Sequence, residues 1–278
     1  MPNHTPNQAQ WDMWNADGGR TWADLHATLD MVFEPLASVL VDEVLAAGGK
    51  QVLDVGCGAG GSTLTIARAL GPKGHCTGID ISAPLIATAN ARSAAEAAGN
   101  VAFIRADAQT YAFSPGSFDT VVSRLGVMFF DDPAAAFANL RRAARPAARL
   151  ALIVWRGRDQ NPFMVAAERA AALVVQNFPV RNDDGPGQFG FASTDRVEAI
   201  LQAGGWTSID IRAVDLPCSF PATELSAYVT RMGPYGRIRE TLDEKTRARA
   251  DAAVLAAFDA YVSGGMVRFT SACWLVRA

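Results

Sequence analysis

A chain of 278 residues, half of them hydrophobic, is long enough to bury the core of one large α/β domain, with or without insertions. Its 25 Lys and Arg against 28 Asp and Glu leave a net charge of −3, which supplies no field to hold a polyanion and argues against a nucleic-acid partner. The start is neither basic nor apolar, no apolar run reaches bilayer length, and the four cysteines and three histidines show no clamp or metal-ligand spacing, so the expectation is a cytoplasmic protein without membrane span, disulfide framework or metal.

The polar first ten residues predict disorder, and the stretch after them, carrying Trp11, Trp14, Gly18, Gly19 and Trp22, predicts an irregular apolar segment. From Thr21 to Ala47 apolar residues recur at helical spacing with an interruption at Pro35, which predicts two helices. Residues 1–47 are thus expected to form a disordered start and a helical lid, ahead of a main domain over 48–278. That domain begins with strand 51–55, helix Ser62–Leu70, strand 75–80 and a helix from Pro84 to Ala98 with Ser82 as N-cap. Strands 101–106, 118–123 and 149–155 follow, with a helix from Asp132 and Pro133 between the last two. Five apolar strands alternating with helices predict a doubly wound, mostly parallel sheet covered on both faces.

Beyond Trp155 the rhythm breaks into a helix near Phe163–Phe178, a Gly- and Pro-rich loop over 181–193, a helix Thr194–Ala203 and a strand over 206–214. A helical segment from Ala222, a helix near Leu242–Tyr261 and a terminal strand over 266–276 complete the chain. Cap segments are expected near 156–193 and 217–240.

The run VLDVGCGAGG puts Gly56, Gly58 and Gly60 between the first strand and its helix, where a missing Cβ lets a ligand approach the backbone. Counted as Gly56, Gly58 and Gly61, the same glycines satisfy the dinucleotide fingerprint, so spacing alone leaves nicotinamide cofactors and S-adenosylmethionine both open. A carboxylate from Asp54 facing the turn would repel a pyrophosphate and favour a cofactor bearing an ammonium and a sulfonium, although a turn or helix cap is its alternative role. Asp80 ends the second strand, where an acid accepts hydrogen bonds from ribose hydroxyls of either cofactor.

VLDVGCGAGG, GIDIS, RADAQ and FDTVVSRLGVMFF, in this order over about residues 50 to 156, resemble class I S-adenosylmethionine-dependent methyltransferases, most of all the ubiquinone/menaquinone-biosynthesis-like group. The resemblance implies a Rossmann-like seven-stranded sheet with the last strand antiparallel, strands 206–214 and 267–276 being sixth and seventh. It implies that Gly56, Cys57 and Gly58 face the methionine portion, Asp80 and Ile81 the ribose and adenine, Asp107 and Ala108 the adenine edge, and Ser123 and Arg124 the transferable methyl. The Asn/Asp-Pro-Pro-Tyr signature of amino-methylating nucleic-acid and glutamine methyltransferases is replaced by Ser-Arg-Leu-Gly, which points to a small-molecule methyl acceptor and S-adenosylhomocysteine as product.

The candidates for catalysis are Arg124, which would orient the acceptor or else form a surface ion pair, His26 on the lid, and Tyr235. Trp14, Trp22, Met128, Phe189 and Phe191 are candidates for the acceptor wall, with core packing as the alternative for the last three. Two other readings stay open: an NAD(P)-dependent oxidoreductase and a non-catalytic S-adenosylmethionine-binding protein.

Overall fold

The computed structural model of the chain describes residues 6–179 and 185–278. Eight strands form its one sheet: β1 Gln51–Val55, β2 His75–Asp80, β3 Val101–Arg105, β4 Phe118–Arg124, β5 Ala144–Trp155, β6 Asp210–Pro221, β7 Val262–Ser263 and β8 Met266–Arg277. The order is β3-β2-β1-β4-β5-β8-β6, with the two-residue β7 paired to the start of β8. Strands β1 to β5 are parallel, and β8 runs antiparallel to both β5 and β6. This is the Rossmann-like doubly wound sheet that the alternation of apolar strands and helices predicts. The sixth strand is displaced from its expected bounds: it begins at Asp210 and continues to Pro221, so residues 217–221 belong to the sheet rather than to a cap.

Twelve α-helices surround the sheet. The amino-terminal four are α1 Gln8–Asn15, α2 Asp17–Asp24, α3 His26–Val32 and α4 Glu34–Ala46. Then come α5 Gly61–Leu70, α6 Ala83–Ala95, α7 Pro133–Ala143, α8 Pro162–Ala172, α9 Thr194–Ala203, α10 Leu225–Arg231, α11 Gly233–Arg239 and α12 Glu244–Ala256. Side-chain oxygens of Ser82, Asp132, Ser193 and Asp243 accept from backbone N–H groups that α6, α7, α9 and α12 would otherwise leave unpaired.

Two expectations about the start of the chain are corrected. The stretch expected to be irregular is α1 and α2, and order begins before residue ten: Asn7 is buried, and residues 1–5 lie outside the described residues. Asn7 is held because its amide donates to Asp107 Oδ1 (2.8 Å) while its own carbonyl oxygen accepts from the Asp131 backbone N–H (2.7 Å). Pro35 does not interrupt a helix but sits in the first turn of α4, where its missing N–H costs nothing.

The lid is fastened to the turn after β2. Ser82 Oγ donates to the Trp14 carbonyl (2.6 Å), and Asn15 accepts from the Ala83 N–H (2.9 Å) while donating to the Ile81 carbonyl (3.2 Å). On the other side of the sheet, α8 ends at Ala172, short of the expected Phe178. Residues 181–184 of the expected loop lie outside the described residues. Phe189 and Phe191 are 4% and 2% exposed, Phe191 packing 6.2 Å from Phe137 between ring centroids. Neither lines a cavity, so the expectation that they form an acceptor wall is corrected to core packing.

Candidate functional site

The glycine turn between β1 and α5 is held by groups that face away from it. Asp54 is fully buried; its Oδ2 accepts from Ser62 Oγ and Thr63 Oγ1, both at 2.7 Å, tying the strand end to the first turn of α5. Its Oδ1 has no partner among the described residues, and burial pushes the carboxyl up despite the two hydroxyls. Asp54 does not line the cleft, and the expected direct contact is corrected to a tie between β1 and the hydroxyls of α5, with no backbone cap. Ser123 is spent similarly: Oγ donates to the Val55 carbonyl (2.7 Å) and accepts from the Gly126 N–H (3.2 Å), latching β4 to β1 outside the cleft.

The three glycines do different things. Gly56 has φ +68°, and a Cβ there would lie 2.7 Å from Gly126 Cα. Gly58 has φ +55° and open space where its side chain would be, at the surface of the cleft. Gly60, φ +81°, is covered by the Phe103 ring, which a Cβ would meet at 2.8 Å, so it serves the packing of the turn and does not face the cleft as expected. Cys57 lines the cleft, but its Sγ lies where a Gly78 Cβ would come within 2.8 Å, towards the sheet, and burial pushes its thiol well up.

The cleft runs from this turn past Asp80 and Ile81 to Asp107 and Ala108. Asp80 accepts from the Gly58 N–H and the Ser82 N–H, each at 2.9 Å, and burial pushes its carboxyl up to about 6. An ordinary aspartate titrates near 4, so the folded protein holds this proton more tightly than the unfolded chain does. The stability this contributes is complete below the unfolded value and is lost as pH rises through 6.

Over the cleft, His26, Leu29, Asp30 and Phe33 occupy the i, i+3, i+4 and i+7 positions of one face running along α3 into the start of α4. Asp30 binds Arg92 (Oδ2 to Nη2, 2.5 Å) and faces Arg124 at 3.9 Å, while Arg92 also donates to the Ala59 carbonyl at 2.7 Å. A Cβ on Gly61 would meet Asp30 Oδ1 at 2.1 Å, which sets this acid and its two arginines against the first residue of α5. Arg124 is therefore not a surface ion pair; it lines the cleft, donating to the Phe33 carbonyl at 3.4 Å. His26 Nδ1 lies 2.8 Å from the Ala23 carbonyl, which only accepts, so that nitrogen carries the proton. Nε2 is then the accepting nitrogen of a residue that lines the cleft.

A second cavity of about 640 Å³ adjoins the cleft, sharing Gln10, Trp14, Trp22, Phe33, Leu125 and Phe129 with it. Trp14 stands edge-on to both Trp22 and Phe129, with centroids 5.6 and 5.5 Å away. Leu125 takes φ +63°, a strained value for a non-glycine residue, on this boundary. Met128 lines the second cavity. Tyr235 does too, but its hydroxyl donates to Asp251, which the neighbouring Arg239 also binds, and burial pushes the phenol up. It does not touch the cleft, so its candidacy for catalysis is withdrawn.

A parallel sheet with a glycine turn and a carboxylate at the next strand end marks a nucleotide-cofactor enzyme. Residues 52–147 match the family described as "Methyltransferase domain". Nocamycin O-methyltransferase of Saccharothrix syringae is 28% identical over 86% of this chain and 88% of its own length. Demethylmenaquinone methyltransferase of Lactococcus lactis is 30% identical over 46% of this chain, which spans only half of that relative. The YcgJ protein of Bacillus subtilis shares the fold, with TM-score 0.55 at 16% identity over 87% of this chain and 96% of that one. The fold, the match to the methyltransferase domain over residues 52–147 and the named relatives together support S-adenosylmethionine-dependent methyl transfer to a small molecule. Neither the oxidoreductase nor the non-catalytic alternative finds support in these relatives.

Proposed function

We propose that the protein transfers the methyl group to a hydroxyl oxygen of its acceptor, with His26 receiving the hydroxyl proton. The observation that supports this reading is the Nδ1 contact to the Ala23 carbonyl in a half-buried imidazole that lines the cleft, which makes Nε2 the accepting nitrogen. That a relative along most of the chain is named an O-methyltransferase supports it.

The residues present fit S-adenosylmethionine. Gly58 offers backbone without a side chain, Asp80 would offer carboxylate oxygens to ribose hydroxyls, Ile81 and Ala108 would hold the adenine, and Asp107 would accept from its amine. Asp30, Arg92 and Arg124 present both signs of charge to the ammonium and carboxylate of the amino-acid end. Bound there, the cofactor supplies an electrophilic methyl on a sulfonium. His26 holds the acceptor's proton at Nε2, Arg124 and Asp30 fix the charged end, and Trp14, Trp22 and Phe129 exclude water from the junction.

We place the reaction in the cytoplasm, consistent with four free, buried cysteines, and nucleic acid outside its partners, in keeping with the net charge. Among the described residues no helix is long and apolar enough to cross a membrane. The test is transfer of labelled methyl from S-adenosylmethionine into pools of hydroxyl, amine and thiol compounds, with products resolved by mass. O-methyl products are expected; label found only on nitrogen, sulfur or carbon would refute the reading.

Replacing Asp80 by alanine is expected to weaken S-adenosylhomocysteine binding by about tenfold to a hundredfold, the value of losing hydrogen bonds to a charged group. Ribose hydroxyls donate to the ionised carboxylate, so wild-type affinity should also rise as pH climbs from 5 to 7 through the raised value near 6. Calorimetric titration checks both: Asp80→Asn should flatten the pH dependence, and unchanged affinity in folded Asp80→Ala would remove this residue from the site.

A further inference from the structure

We infer that the acceptor is a flat molecule of several fused rings bearing a hydroxyl group at the end that meets the methyl, an inference that rests on the methyl-transfer reading above. The first observation is size. A cavity of about 640 Å³ lies in the middle of the range for drug-sized ligands, and a single-ring phenol would leave most of it to water.

The second is the nature of the walls. On the lid side, Trp14, Trp22 and Phe129 brace one another edge to face. On the cap side, Phe163 packs against Phe258 (centroids 5.0 Å, 82° between planes) and against Tyr228 at 6.2 Å. Rings held by neighbours in this way cannot turn to fill the space between the two sides, and their surfaces suit offset stacking or edge contacts with another ring system. Met128, Met164 and Met232 add apolar wall, side chains able to shift around a rigid outline, while charged groups, among them Arg20, Asp24 and Arg231, line other parts of the cavity. A rigid planar ligand loses little conformational entropy there, whereas an alkyl chain would have to order every rotor.

The third observation is Gln10. It lines both cavities, and its Oε1 is buried with no hydrogen-bond partner among the described residues. An amide oxygen left so carries a desolvation penalty that a hydroxyl donating at the boundary of the two cavities would offset. A ligand with a second hydroxyl on its leading ring, beside the one whose proton His26 takes, satisfies the size, the walls and this oxygen together.

The experiment compares three hydroxyl acceptors with labelled S-adenosylmethionine: catechol, a dihydroxyanthraquinone and a hydroxylated fatty acid. Calorimetry with S-adenosylhomocysteine is run in parallel. The tricyclic compound is expected to show kcat/KM roughly 100-fold above the other two and to quench the tryptophan fluorescence of the cavity wall. Gln10→Leu should erase the binding preference for the hydroxylated anthraquinone over the unsubstituted one. Equal or better turnover of catechol or of the fatty acid overturns the inference, as does tight S-adenosylhomocysteine binding with no quenching and no methylation of the tricycle. That last result leaves the methyl-transfer reading standing, whereas failure to bind S-adenosylhomocysteine sinks that reading and the inference together.

Discussion

Replacing His26 by glutamine is expected to lower kcat for a hydroxyl acceptor by about 100- to 10,000-fold, the usual contribution of a positioned general base, with S-adenosylhomocysteine affinity little changed. The glutamine nearly matches imidazole in reach, and its amide can donate to the Ala23 carbonyl as Nδ1 does, so the start of α3 keeps its bond. What it loses is a lone pair basic enough to take a proton. The loss should therefore depend on the acceptor: large for a weakly acidic hydroxyl, and small for one that is ionised before it binds, where there is no proton to remove. A rise in KM with kcat preserved would instead show that His26 only shapes the wall. An equal loss for ionised and neutral acceptors would likewise deny it the role of base.

The elements around the glycine turn are legible in the sequence because local signals agree there. Short apolar strands, a glycine-bearing turn, an N-cap such as Ser82 and a carboxylate at a strand end coincide within fifty residues, and the structure has β1, α5, β2 and α6 where they predict. The direction of a side chain is another matter. Asp54 and Ser123 carry suitable chemistry at suitable strand ends, yet hydroxyls of α5 and the Val55 carbonyl draw both out of the cleft. The lid was misread for a related reason. Asn7 and α1 are polar and short, and what orders them is Asp107, Asp131 and the Ser82 turn, more than sixty residues away in every case. Asp30 and Arg92 carry no motif at all; they meet across 62 positions, and only the packing of α3 over α5 and α6 makes them a cluster. Phe189 and Phe191, next to glycines in a loop, fit an acceptor wall or the core equally in sequence, and the structure buries both, Phe191 against Phe137 of α7.

Gly126 is the position whose importance was least visible, since it follows a strand end and has no glycine motif around it. In the structure a Cβ there would lie 2.7 Å from the Val55 carbonyl oxygen and 2.8 Å from Gly56 Cα, while one on Gly56 would strike Gly126 Cα at 2.7 Å. Every one of these atoms is backbone, at the end of β1 and in the turns that follow β1 and β4, so no side chain can swing aside. Gly126→Ala should therefore separate the ends of β1 and β4 and break the Ser123 latch, at a cost of about 3 kcal/mol, the upper end of the usual overpacking range. For a chain of this size that is a fall in thermal midpoint of roughly 6–12 °C. Gly58→Ala makes the informative contrast. It has φ +55° but nothing within 4 Å of its would-be Cβ, so it pays only backbone strain of about 1–2 kcal/mol and keeps the fold. Its methyl, however, would project into the cleft that the cofactor is to fill. The expected result is a crossed pattern in thermal melts and calorimetric titration: Gly126→Ala loses more stability, and Gly58→Ala, measured while folded, loses more S-adenosylhomocysteine affinity than stability. Equal melting of the two variants would show that the β1 and β4 ends can part without cost, contrary to the contact that Gly56 and Gly126 make.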